Sequence, residues 1–205
     1  MLCLKVPTDR AWSSEATRDV GAVLVDHAHC EIKAASNALS LATRHPADIE
    51  LVRALTDLAR EEIDHFQRVL AILSARGLTL GPPPVDAYAA GLRSAARALP
   101  PARGTDPLVD RLLVGALIEA RSCERFKLLA DATTIDGAEK DVHALWDELL
   151  AAEARHYRTF VELAVRVGGD RARVAARLDL LADVEGQIVR TIAAANRVSR
   201  ASIHG

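Results

Sequence analysis

Residues 59–68 read AREEIDHFQR, and residues 151–160 read AAEARHYRTF. Each stretch holds Glu-x-x-His followed by an aromatic residue: Glu62, His65 and Phe66 in the first, Glu153, His156 and Tyr157 in the second. On an α-helix the i, i+3 spacing puts both side chains on one face about a turn apart, so a carboxylate oxygen and an imidazole nitrogen can meet at one ion. A single such pair would be read as a solvated Glu beside a partly buried His. Here Leu58, Phe66 and Val69 surround the first pair at helical spacing, and Trp146, Leu149, Leu150, Tyr157 and Phe160 surround the second. A carboxylate on an apolar stripe is costly unless paired or coordinated, and two such departures call for a common cause. A shared metal centre supplies one.

The flanking sequence predicts the helices that would carry these pairs. Ser13 and Ser14 before Glu15 suggest a cap, and an Ala- and Leu-rich helix should then run to Arg44, where His45-Pro46 breaks it. A second helix spans Asp48 to Arg76 with Leu51, Leu55, Leu58, Ile63, Phe66, Leu70 and Leu73 at spacings of three to five, and Gly77 stops it. Residues 78–104 hold Pro82, Pro83, Pro84, Pro100 and Pro101 around a short helical piece near Tyr88–Leu99, the pattern of a crossover connection. A third long helix is expected from about Pro107 to Thr133, the Asp136-Gly137 turn follows, and a fourth ends near Gly168-Gly169. A last helix, about residues 170–199, carries Leu178, Leu181, Val184, Ile188 and Ile192 on one side. The expectation is all-α: a four-helix bundle over about residues 14–168 with a long crossover connection and an additional C-terminal helix, residues 1–205 forming a single domain.

A dinuclear site in such a bundle needs a Glu from each partner helix as well. In an antiparallel hairpin, residues at one level lie equally far from the turn, and Glu31 and Glu62 have their midpoint at the His45-Pro46 break. In the other hairpin both Glu119 and Glu124 satisfy that test against Glu153. Five residues are about 140° of helix rotation, so only one can face the centre. Glu119 is flanked by Gly115, Ala116, Ser122, Cys123 and Phe126, whereas Glu124 stands between Arg121 and Lys127 as in a solvated ion-pair row, which selects Glu119. Four carboxylates carry −4, which two divalent ions neutralise; without them the carboxylates would repel each other and take up protons. Hard oxygen donors with two imidazoles, and no thiolate nearby, suit iron or manganese rather than structural zinc, iron being preferred.

Half of the residues are apolar but only 3% are aromatic, which favours packed helices over sheets. Cys3, Cys30 and Cys123 are an odd number without a CxxC pair, so neither a disulfide framework nor a zinc ribbon is expected, and an intracellular, cytoplasmic setting follows. No segment approaches eighteen uninterrupted apolar residues, so no membrane association is expected. A formal net charge of −2 gives no global attraction to nucleic acid.

DHAHCEIKAA, AREEIDHF, LIEARSCERF and EARHY resemble the ferritin-like di-iron superfamily and, within it, the MiaE family of tRNA hydroxylases. The resemblance runs almost the full length, including the basic C-terminal segment. It implies six ligands, Glu31, Glu62, His65, Glu119, Glu153 and His156, around two iron ions, with O2 as co-substrate. The implied reaction is hydroxylation of the isopentenyl group of 2-methylthio-N6-isopentenyladenosine in tRNA. It needs an electron-donating reductase or ferredoxin-type partner, and a monomer or small homo-oligomer suffices. Small residues such as Ala34, Ala35 and Gly115 are read as close helix packing rather than as room beside the metals. Arg93, Arg97 and Arg103 in the crossover and Arg190, Arg197 and Arg200 near the end are candidate phosphate contacts, against a reading as solvated helix faces. The competing functions are a quinone-precursor hydroxylase of related fold and a ferroxidase or iron-storage protein. A metal-free helical scaffold is the third.

Overall fold

The computed structural model describes residues 2–100, 106–133 and 139–195, and these form seven helices and no strand. They are α1 (Arg10–Ala16), α2 (Val20–Arg44), α3 (Ile49–Ala75), α4 (Ala87–Ala98), α5 (Pro107–Ala132), α6 (Lys140–Gly168) and α7 (Arg171–Ala195). Aspartate sets nearly every start. Asp9, Asp19, Asp48, Asp86 and Asp106 each accept a backbone N–H from the first turn of the helix that follows, and Asp170 accepts from Ala172 and Arg173. A side-chain cap of this kind stabilises a helix by about 1 kcal/mol.

The chain divides into two compact units, one of residues 18–85 and the other of residues up to Thr17 and from Asp86 onward. The first is the α2–α3 hairpin. His45-Pro46 does end α2, and Asp48 caps α3, as the sequence predicts. Ser13 and Ser14 do not begin α2: they lie inside the separate helix α1, and Asp19 is the true cap. Two aspartates at proper capping distance, Asp9 and Asp19, outcompete the serines. At the other end of the hairpin Gly77, with φ +66°, lets Leu78 N–H reach Leu73 O at 2.9 Å and Gly77 N–H reach Ser74 O at 3.0 Å, the Schellman stop. Leu78 then closes on Gly21 near the start of α2, where an added Cβ would meet its Cδ1 at 2.9 Å.

The second unit is built on the α5–α6 hairpin, with α1, α4 and α7 packed on it. The predicted Asp136-Gly137 turn lies outside the described residues. Phe126 of α5 stacks on Trp146 of α6 with ring centroids 5.5 Å apart. Gly115 of α5 receives the Phe160 ring, with ring carbons 3.0–3.1 Å from where a Cβ would stand, so the glycine serves close packing as expected. Gly169, at φ +70°, caps α6 in the left-handed region.

A buried polar cluster ties the N-terminal segment, α4 and α7 to α5. Arg121 is fully buried, and all five of its N–H groups are engaged. Nε and Nη2 donate to the two oxygens of Glu185 on α7, both at 2.9 Å; Nη2 also donates to Val6 O at 2.9 Å. Nη1 donates to Thr8 Oγ1 at 3.0 Å and to Glu124. Tyr88 of α4 donates to Glu185 Oε1 at 3.0 Å. This corrects the sequence expectation of a solvated Arg121–Glu124–Lys127 row: only Lys127 is exposed. It also corrects the face of α7. Leu178 and Leu181 are buried, but Val184, Ile188 and Ile192 are half-exposed, and Glu185 is fully buried. The predicted extension of this helix to residue 199 lies outside the described residues.

Candidate metal centre

On α3 the residues in the deepest stripe are Leu51, Leu55, Leu58, Glu62, His65, Val69 and Leu73, each three or four apart. Ile63, Phe66 and Leu70, which the sequence offers as core, are only half-buried. The two polar side chains of the motif therefore replace apolar ones at the centre of the stripe. Glu62 is 1% exposed and His65 6%. From α2, Glu31 joins them, and one donor atom from each of Glu31, Glu62 and His65 lies within 4.8 Å of the others, a group that could hold a metal ion. His65 Nδ1 is 3.7 Å from both Glu31 Oε2 and Glu62 Oε2, distances that leave room for an ion between the groups.

The electrostatics follow from crowding two acids and two histidines in a dry interior. Burial works against a charge on Glu31. The charge of His27 and hydrogen bonds with Glu62, His27 and His65 override it, holding the carboxyl well below its usual range. Burial likewise opposes a charge on His65, yet Glu31 and Glu62 raise its pKa to about 9. His27 is not among the six ligands expected from the sequence, a set complete without it. It is buried one turn before Glu31, and its Nε2 stands 2.6 Å from Glu31 Oε1. Its i, i+4 spacing from Glu31 was the available signal. His29 is buried too, but two residues from Glu31 is about 200° of rotation, on another side of the helix.

The second unit carries the same motif in a buried stripe. On α6, Glu153 and His156 sit in the stripe Val142, Leu145, Trp146, Leu149, Glu153, His156, Phe160. Both are buried, with His156 Nδ1 3.9 Å from Glu153 Oε2. Three contacts fix the register of α5 against α6: Gly115 with Phe160, Cys123 Sγ with Leu150 O at 3.8 Å, and Phe126 with Trp146. That register puts Glu119, also buried, level with residues 154–156, between Glu153 and His156. Glu124 is lower on the helix and turned to Thr8 and Arg121. Glu119 is buried, and Glu124 is diverted by an internal cluster rather than by solvent.

Of the candidate phosphate contacts, Arg93, Arg97 and Arg190 are exposed. Arg103, Arg197 and Arg200 lie outside the described residues. Among the described residues no helix is long and apolar enough to cross a membrane.

A solved structure described as Protein 43 with aldehyde deformylating oxygenase activity, from Synechococcus, superposes with a TM-score of 0.85 at 36% identity, covering 100% of this chain and 96% of that one. The fold is thus the all-α, ferritin-like one, with a crossover connection and an added C-terminal helix. A protein of Pseudomonas putida named tRNA 2-(methylsulfanyl)-N(6)-isopentenyladenosine(37) hydroxylase is 39% identical over 188 residues, which is 92% of this chain and 87% of that protein. Its namesake from Salmonella typhimurium is 27% identical over 235 residues, 91% and 83% of the two chains. Residues 1–199 match the family described as tRNA-(MS[2]IO[6]A)-hydroxylase (MiaE), and the chain belongs to it.

Proposed function

We propose that this chain is an O2-dependent di-iron monooxygenase that hydroxylates the isopentenyl group of 2-methylthio-N6-isopentenyladenosine in tRNA. The observation that carries the reading is the buried group Glu31, Glu62 and His65, with donor atoms within 4.8 Å of one another, and the burial of Glu119, Glu153 and His156, in a chain whose relatives bear that hydroxylase's name. In this reading residues 1–205 act as one domain, and Glu31, Glu62, His65, Glu119, Glu153 and His156 hold two iron ions between them. The donors suit the group. Four buried carboxylates would balance two divalent cations, hard oxygens and imidazoles match iron, and among these donors there is no thiolate.

When bound, the iron pair would supply O2 activation: one oxygen atom enters a C–H bond and the other leaves as water, with two electrons from a reductase or ferredoxin-type protein and two protons. The chain's own residues do the rest. Glu31 is held ionised by its neighbours and is ready to bind a cation. His27, with Nε2 beside Glu31 Oε1, fixes that carboxylate and can hold a proton there. Leu58, Val69, Leu149 and Phe160 pack round the donors and exclude water, which protects a strongly oxidising site from side reactions. Arg93, Arg97 and Arg190, which are exposed, would meet tRNA phosphates. The enzyme works in the cytoplasm, as a monomer or small homo-oligomer.

The test is to incubate reduced, iron-loaded protein with O2 and tRNA bearing the prenylated base, and to weigh the nucleoside by mass spectrometry. One added oxygen is expected, and Glu62→Ala and His156→Ala should abolish both it and metal retention. A long-chain aldehyde is run in parallel. Consumption of the aldehyde with no oxygen added to the tRNA overturns the assignment.

A further inference from the structure

The two hairpins that carry the motifs can be compared position by position. One turn before Glu31 stands His27, and one turn before Glu119 stands Gly115. One turn after each motif histidine the first hairpin has Val69 and the second has Phe160. All four are buried, and their i, i+4 spacing puts each on the same side of its helix as the donor it accompanies. The donors match between the hairpins, but their immediate neighbours do not.

In the first hairpin the place beside the carboxylate is polar. His27 Nε2 stands 2.6 Å from Glu31 Oε1, while Glu31 Oε2 lies 3.7 Å from His65 Nδ1. One oxygen is thus held from behind, and the other is left to the group in which Glu31, Glu62 and His65 bring donor atoms within 4.8 Å of one another. The protein itself orients these donors. In the second hairpin the corresponding place is apolar. Gly115 brings no side chain to hold Glu119, and the Phe160 ring fills the space, its carbons 3.0–3.1 Å from where a Cβ would stand. A phenyl ring has no N–H to offer a carboxylate. Losing the outer partner of a metal-binding carboxylate costs about 10–100-fold in affinity, because more ordering is left to be done on binding.

We propose that the two cation positions are unequal: the one at Glu31, Glu62 and His65 fills first, with His27 as its positioning residue, and the one at Glu119, Glu153 and His156 fills second. The inference rests on the di-iron reading and adds the order of loading.

The test is titration of Mn2+ into the metal-free full chain, followed by electron paramagnetic resonance. Mn2+ shares the oxygen and imidazole preference of Fe2+; a lone bound ion gives a six-line signal and a neighbouring pair a coupled one. Glu62→Ala, which lacks a donor of the pair, sets the background of ions bound elsewhere. The first equivalent should give the lone-ion signal and the second the coupled one, with dissociation constants at least about tenfold apart. His27→Leu fills the same space without a polar atom and should weaken the first step by about 10–100-fold, so that the two steps merge. His27→Gln, which restores an N–H, should recover most of that loss, a rescue that a packing role would not give. If the Leu variant does not fold, as judged by circular dichroism, the Gln variant and the two steps of the unaltered chain decide. A coupled signal from the earliest additions, two equal steps, or a His27→Leu chain whose first step is unchanged overturns the order and leaves the di-iron reading standing. Mn2+ binding no stronger than that of Glu62→Ala overturns both.

Discussion

Replacing Glu185 with alanine removes one partner from a fully buried ion pair, and the structure says what is lost. Two of Arg121's five hydrogen bonds disappear, as does the acceptor of the Tyr88 hydroxyl. Burial opposes the Arg121 charge, and Glu185, then Glu124, overcome it and raise its pKa. Without Glu185 the cation keeps only Glu124, Thr8 and Val6 O. A hydrogen bond to a charged group is worth about 1.5–3 kcal/mol, and breaking one side of a buried pair costs about 3–5 kcal/mol. Since Glu124 remains, the lower end applies, about 3 kcal/mol for Glu185→Ala. Both tryptophans, Trp12 and Trp146, lie in the second unit, so tryptophan fluorescence during urea unfolding reports that unit alone. The midpoint should fall accordingly, and thermal unfolding should come about 6–12 °C earlier. Arg121→Met combined with Glu185→Leu removes both charges and should cost less than the two single changes added together, by about 2 kcal/mol. A loss below about 1 kcal/mol for Glu185→Ala, or strict additivity of the pair, would refute the account of a tightly coupled buried cluster.

Metal uptake should release protons. His65 is raised from 6.5 to about 9, so in the metal-free protein it is charged at neutral pH and must give up about one proton to bind an ion. Calorimetry of Mn2+ or Fe2+ binding in buffers of different ionisation enthalpy measures this, and an absence of release contradicts it. The stability His65 gives the metal-free hairpin is complete below 6.5 and is lost as pH rises through about 9; that from Glu31, whose carboxyl is lowered, is complete above 4.5 and is lost as pH falls. Circular dichroism melts across pH should show both flanks. Gly115→Val drives a branched side chain into the Phe160 ring and should destabilise by about 1–3 kcal/mol; Phe160→Leu in the same chain should recover part of it, and no recovery counts against the packing argument. Charge reversal at Arg93, Arg97 and Arg190 should flatten the salt dependence of tRNA binding by about 0.9 for each phosphate no longer neutralised, and an unchanged slope removes these residues from the interface.

The long helices and both Glu-x-x-His motifs were legible because period and spacing are local properties. His45-Pro46, Gly77 and Gly169 stop their helices for reasons that reside in one or two residues. The choice of Glu119 was legible from helix rotation, but the reason given for rejecting Glu124 was not, since its partners Thr8 and Arg121 are fixed by tertiary packing that no local pattern reveals. The same limit hid Glu185: among Val184, Ile188 and Ile192 an acid reads as solvated, yet it is fully buried because a guanidinium from α5 waits there. Ser13 and Ser14 misled because capping strength among several eligible residues depends on where the chain turns, which is set by Asp9 and Asp19. His27 was passed over because six donors already completed a ligand count, whereas its proximity to Glu31 concerns the shell around that count.

The N-terminal segment closes the second unit from the far end of the chain: Lys5 pairs with Asp179, 174 residues later, and Val6 fills the space left by Gly186. During synthesis the α2–α3 hairpin has all its parts as soon as residue 85 leaves the ribosome. Val6 and Thr8 find partners on α5, but Lys5 and the Val6 side chain must wait for α7. Contacts of such long range are slow to form. A nascent chain arrested before α7 would therefore carry one finished hairpin and a half-clasped beginning, a state that limited proteolysis of stalled complexes would reveal as faster cleavage near Lys5 than in the released chain.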